Sequence, residues 1–137
     1  MRNENTLYHC TTYDNLKNIF KEGIKPHDPS VRKPTVKGLP KGVYLCEFPI
    51  DWMEWATDEF TKRGALLKID ITNLELYGDL DKRIDIKRPI TSKAHRGIYS
   101  KKVIPPENIV GVEIETEVGS GKFVTVDIIS LKKELEV

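Results

Sequence analysis

The apolar positions of this chain change period several times, and each change marks an element. Leu7-Tyr8-His9-Cys10 is a short apolar run that predicts a strand, with Thr11 and Thr12 as a polar tip. Leu16, Ile19 and Phe20 then fall at i, i+3 and i+4, one helical face, with Thr12 or Asp14 placed to cap it. Gly23 stands where a left-handed C-cap belongs, and Pro26 forbids continuation. Residues 26–42 contain Pro26, Pro29, Pro34, Pro40, Gly38 and Gly42, which predicts an extended, mobile loop. Loops of that length are usually functional or disordered.

Gly42 to Cys46 predicts a second short strand, and the stretch FPIDWMEWATDEFTKRG a helix. Trp52, Trp55, Ala56 and Phe60 share one face of it, as core packing demands, and Gly64 ends it. ALLKIDI is the clearest strand. Thr72 to Arg83 reads as loop and turn, and Lys82 to Ser100 as polar chain with weak strand signals. KKVIPPENIVGVEIET predicts a strand, a Pro-Pro turn and a second strand, with Glu113 and Glu115 pointing outward. VGSG is a turn, and KFVTVDIISL alternates as the last strand. The order gives an α+β chain carrying its helices at the N-terminal end.

At 137 residues the chain reads as one domain, 1–137. No segment has the run of about 18 apolar residues that a membrane span needs, and MRNENT lacks a signal peptide's apolar stretch. The expectation is a cytoplasmic protein with no membrane partner. Cys10 and Cys46 suit free thiols in a reducing compartment, and no His or Cys spacing predicts a metal site.

Charge sums to +1 but is uneven. Lys82, Arg83, Lys87, Arg88, Lys93, Arg96, Lys101 and Lys102 face a single acid, Asp85, and Lys25, Arg32, Lys33, Lys37 and Lys41 form a second basic stretch. Beyond Glu107 the balance turns acidic. Such asymmetry fits a nucleic-acid footprint, and it fits solvated Lys-rich loops equally well.

Taken together, three stretches resemble the ADP-ribosyltransferase superfamily. LYHCTTYDNLKNIFKEGIKP is similar to its opening motif, a strand with His, a small residue and Ser or Thr before a helix. GVYL before a helix starting near Asp51 resembles the second motif, and GIYSKKVIPPENIVGV the third, which runs through a Pro-Pro turn into a strand. The stretches span residues 7–114. The resemblance implies an ADP-ribosyltransferase-like split β-sheet core with two N-terminal helices and NAD as co-substrate. It assigns His9 and Thr11 to the NAD ribose and Tyr44 to stacking on the nicotinamide ring. The implied activity is mono-ADP-ribosyl transfer to a macromolecule, with nucleic acid a candidate target. Small stand-alone members of such families often act as toxins or phage effectors.

The sequence departs from that pattern at one place. The family's catalytic glutamate should open the third motif, yet Arg96-Gly97-Ile98-Tyr99-Ser100 contains no acid. Glu47, Glu54 or Asp51 could substitute, Glu47 first because it follows the Tyr44 strand. The RNA 2'-phosphotransferase branch also lacks the glutamate and uses basic residues on a phosphate, a role open to Arg96, Lys101 and Lys102. That branch's Arg-His-His and His-x-His signatures are absent. The alternatives are phosphotransferase-like NAD chemistry or a catalytically silent NAD or nucleotide binder. Plain structural roles also stand: His9 bonded to a loop carbonyl, Tyr44 a core aromatic.

Overall fold

A computed structural model describes residues 5–27, 41–47, 49, 53, 56–57, 60–78, 82–84 and 97–137. The loop predicted over 26–42 lies mostly outside these residues, as do Trp52 and Trp55. Within them the chain is α+β, with two helices and two four-stranded antiparallel sheets.

The first sheet has the order β1 (Thr6–Thr12), β3 (Gly64–Asp70), β7 (Ile109–Glu115), β8 (Phe123–Val126). β1 pairs along its whole length with β3, from Thr6 opposite Asp70 to Thr12 opposite Gly64. The strand is longer than the apolar run alone predicts, because Thr11 and Thr12 extend it as buried, β-branched residues. β3 lies between two partners, and its residues Gly64 to Leu67 are all buried. The second sheet has the order β2 (Val43–Leu45), β6 (Ile98–Ser100), β4 (Tyr77–Gly78), β5 (Lys82–Arg83). Tyr77 and Gly78 pair with Arg83 and Lys82, so part of the stretch expected as loop and turn forms strands instead.

The sheets meet at one bridge. Tyr8 and Cys46 exchange both backbone hydrogen bonds, at 2.9 and 2.8 Å. Beyond it β1 stays with β3 and β2 turns to β6, leaving a fork. Leu7, Leu67, Ile69 and Val112 of one sheet pack with Val43, Leu45 and Ile98 of the other in a single core cluster. Each such side chain contributes on the order of 1.5–3 kcal/mol by leaving water.

α1 (Leu16–Glu22) adds Leu16, Ile19 and Phe20 to that core, as the i, i+3, i+4 spacing predicts. Seven residues are too few for a helix stable in isolation, so packing holds it. Its start differs from expectation. Thr12 ends β1, a 3₁₀ turn covers Tyr13–Asn15, and neither Thr12 nor Asn15 makes a side-chain cap bond. Gly23 ends the helix at φ 84° and ψ −179°, a region other residues avoid, and a Cβ there would stand 2.4 Å from the Ile104 carbonyl oxygen. The chain then bridges Ile24 to Ile104 and His27 to Gly42, which delivers it to β2.

A helical turn is present around Met53: its N–H bonds Pro49 O and its carbonyl accepts from Thr57 N. Met53 and Ala56 are buried with Leu66, but Phe60 is 45% exposed at φ 66° and does not join that face. Gly64 opens β3 rather than closing a helix.

The C-terminal end corrects the predicted last strand. Alternation holds only through Val126. Asp127 then caps α2 (Ile128–Glu134), its carboxylate accepting from Ser130 N and Ser130 Oγ at 2.9 Å each. Leu131 is the buried anchor of this helix, flanked by Ile128 and Leu135. One described helix is thus N-terminal and one C-terminal. Glu115 does not point outward either. It is 1% exposed, with Oε1 accepting from Gly64 N at 3.0 Å and Oε2 from Gly121 N at 2.9 Å. No helix among the described residues is long and apolar enough to cross a membrane.

Candidate functional site

Alternation along β1 places His9 on the face of Leu7, and Cys10 on the opposite face with Met53, Ala56 and Leu66. A Cys-His pair from these neighbours does not form. His9 lies at the fork, immediately after the Tyr8–Cys46 bridge. Its Nδ1 is 2.8 Å from the backbone oxygen of Tyr44. A carbonyl oxygen can only accept, so the proton is on Nδ1 and Nε2 carries a lone pair. The plain role foreseen for His9 is a bond to a loop carbonyl; the carbonyl it meets belongs to strand β2 instead, and the bond accounts for one nitrogen of the ring.

The second nitrogen has no hydrogen-bond partner among the described residues. No fully buried side-chain nitrogen or oxygen among them lacks a partner, so the 7% of His9 that is exposed includes Nε2. Burial lowers the imidazole pKa to about 4, partly offset by the Tyr44 bond, while the nearby His27 lowers it further. At neutral pH His9 is uncharged and presents an acceptor.

Tyr44 lies between Val43 and Leu45, which enter the core, and projects from the other face of β2. There it meets Tyr99, its direct partner on β6, with ring centroids 5.4 Å apart and planes tilted by 33°. His27 approaches the same ring edge-on at 6.4 Å. Tyr77 continues the row beyond Tyr99 at 6.0 Å, and Lys101 Nζ stands 4.1 Å from the Tyr77 ring centre. Gly97, at φ 62°, lies against Tyr44; a Cβ added there would be 3.3 Å from Tyr44 Cε1. The second and third sequence stretches are thus adjacent strands, and the first joins them through His9.

The other predicted residues divide. Thr11 is buried on the His9 side of β1, but its Oγ1 accepts from Asn15 Nδ2 at 3.1 Å, tying it to the turn before α1. Glu47 is half-buried directly after Cys46. It is three residues from Tyr44, a reach of at most about 10 Å along the chain. Arg96, the other predicted catalytic residue, lies outside the described residues, as do Asp51, Glu54, Lys87, Arg88 and Lys93. Of the basic stretch, Lys82 and Arg83 form β5 and Lys101 follows β6. Arg83 makes an exposed pair with Glu75 at 3.8 Å, worth little to stability.

Sequence reasoning missed His27. The only hint was its place before a Pro-rich loop, since nothing local announces a bridge to Gly42. Cys10 and Cys46 are free, as expected. A hydrogen bond with the Cys46 thiol, and then burial, push the Cys10 thiol well above its ordinary range. A separate hollow of about 260 Å³ lies between Tyr13, Arg63, Val124, Asp127, Ser130 and Glu134. It contains none of the predicted site residues. No protein-family model matches the chain, and no curated protein matches it.

Proposed function

We propose that this chain is an NAD-dependent mono-ADP-ribosyltransferase-like protein, acting on a macromolecule, with nucleic acid one candidate target. The observation that carries the reading is the His9 geometry. One nitrogen is pinned to Tyr44 O, and the other offers a lone pair at a fork between two sheets. A ribose hydroxyl is the kind of donor such an acceptor takes.

In this reading NAD lies across the fork with a ribose hydroxyl on His9 Nε2 and the nicotinamide against Tyr44, a flat cation on a π surface. The bond between the ribose carbon and the nicotinamide nitrogen breaks, and its electron pair leaves with neutral nicotinamide. An acceptor oxygen or nitrogen bonds to that carbon and gives up its proton. The developing ribosyl cation calls for a negative group, and Glu47 is the acid assigned to it. Arg96 and Lys101 are the cations assigned to an acceptor phosphate. Free thiols at Cys10 and Cys46 agree with a cytoplasmic setting.

The absence of any acid from Arg96 to Ser100 favours a second reading, an NAD or nucleotide binder without turnover. Calorimetric titration with NAD, followed by a nicotinamide-release assay with and without nucleic acid, tests both. Release that rises with nucleic acid supports transfer. Binding without release supports the silent binder, and no binding removes the NAD reading.

A further inference from the structure

We infer that Cys10 and Cys46 form a modification site, at which hydrogen peroxide joins the two thiols into a reversible disulfide that clamps β1 to β2 at the root of the fork. This stands apart from the NAD reading and would survive its failure.

The register brings the two sulfurs together. Tyr8 and Cys46 stand directly opposite and exchange both backbone hydrogen bonds, so their side chains leave the same face. Cys10 is two residues further along β1 and shares that face, packed with Tyr8 against Met53, Ala56 and Leu66. The chain beyond Cys46 stays beside it, since Cys10 Sγ donates to Pro49 O at 3.4 Å. Both thiols are free, and they are hydrogen-bonded to each other. The Tyr8–Cys46 bridge is isolated, with no neighbouring β1–β2 pair to fix the backbone. The sulfurs can therefore close to the roughly 2.05 Å of a disulfide.

The hydrogen bond with Cys46, and then burial, keep the proton on Cys10. Cys10 thus enters the chemistry as a thiol, and Cys46 as the sulfur that meets the oxidant. Cys46 is 4% exposed, which suits a peroxide and disfavours a bulky oxidant such as oxidised glutathione. Cys46 gives its proton to water, and its sulfur bonds to one peroxide oxygen. The O–O bond breaks, and the departing hydroxide takes up a proton to become water. The Cys10 sulfur then attacks the resulting sulfenic acid. The S–O bond breaks, and hydroxide leaves with the Cys10 proton as a second water. The two thiols lose two electrons, and one peroxide becomes two waters.

The test treats the intact, reduced protein with excess hydrogen peroxide at pH 7.5, followed by alkylation and mass spectrometry. The expected product is a monomer lighter by two hydrogens, with the peptides of Cys10 and Cys46 linked, and dithiothreitol restores both thiols. Its thermal midpoint should exceed that of the reduced protein by about 5–15 °C. A folded Cys10→Ser protein should keep Cys46 as a sulfenic acid that dimedone traps, and absence of that adduct would overturn the order of oxidation. Two thiols still open to alkylation after peroxide, oxygen added without a link, or a disulfide between two copies would overturn the site itself, whether or not the variant folds. A linked protein with an unchanged midpoint would overturn the clamp.

Discussion

His9 Nδ1 donates to the backbone carbonyl of Tyr44 across 35 residues of sequence, and this bond stands where the β1–β2 ladder would otherwise continue. The imidazole replaces a backbone partner at the place where the two sheets part. Its burial has a measurable cost in acid. The folded pKa of about 4 lies below the ordinary 6.5, so between those values the unfolded chain binds a proton that the folded chain does not. Stability from this source is complete above about pH 6.5 and falls as pH drops toward 4, by roughly 3 kcal/mol in all. Urea midpoints at pH 7.5, 5.5 and 4.5 should show that slope in wild type and lose most of it in His9→Gln. An identical slope in the variant would assign the titration to another group.

Glu115 closes the far end of the same sheet. Its carboxylate collects the N–H groups of Gly64 and Gly121, and its backbone oxygen accepts from Arg63 Nε at 2.7 Å. Glu115→Gln turns one acceptor into a donor facing an N–H, at an expected cost of about 1–3 kcal/mol. A denaturation midpoint unchanged within about 0.3 kcal/mol would contradict this role.

Gly23→Ala combines an unfavourable backbone conformation with a collision against Ile104 O. The expected loss is at least about 1–3 kcal/mol. Amide exchange should speed up at Ile24 and Ile104 in particular, because their mutual bridge begins at this residue. Uniform acceleration across the molecule would point to a general loss of stability rather than a broken bridge.

If nicotinamide release is seen, Glu47→Gln should lower its rate by ~10²–10³ with NAD affinity unchanged, the usual effect of removing an electrostatic group from a transition state. Full activity in that variant would transfer the role to a group outside the residues described.

Arg83→Ala and Lys101→Ala bear on the nucleic-acid target. Binding should weaken steeply with salt, and each substitution should lower the salt slope by about one unit. A salt-independent affinity would reduce both cations to solvated surface charge. Lys101 would then keep its place over the Tyr77 ring.

The sequence made some of this legible and concealed the rest for physical reasons. β3 and β7 are seven-residue strands long enough for an apolar pattern to develop, and α1 has three apolar residues at helical spacing. The Tyr77–Arg83 pairing stayed hidden because strands of two residues have no period. At the C-terminus, the polar and apolar alternation of Thr125, Val126, Asp127 and Ile128 continues as a strand's would. Only the Asp127–Ser130 spacing marks the change to helix. Glu115 was misplaced because alternation predicts a face, not what covers the end of that face. At the fork, the sequence offers His9 and Tyr44 as candidates only. The bond that joins them uses a main-chain oxygen, which every residue carries and no letter distinguishes.

The position of β1 also bears on how the chain is made. β1 leaves the ribosome well before its register partner β3, which begins at Gly64, and before the bridging residue Cys46. At synthesis rates of 5–20 residues per second, the nascent strand waits on the order of several seconds with both edges unpaired. Pairings this distant in sequence also close slowly once the partner exists. The segment that carries His9 thus waits for its partner longer than β3 or β7 does, and a chaperone that shelters nascent chain would find it open to unwanted strand association.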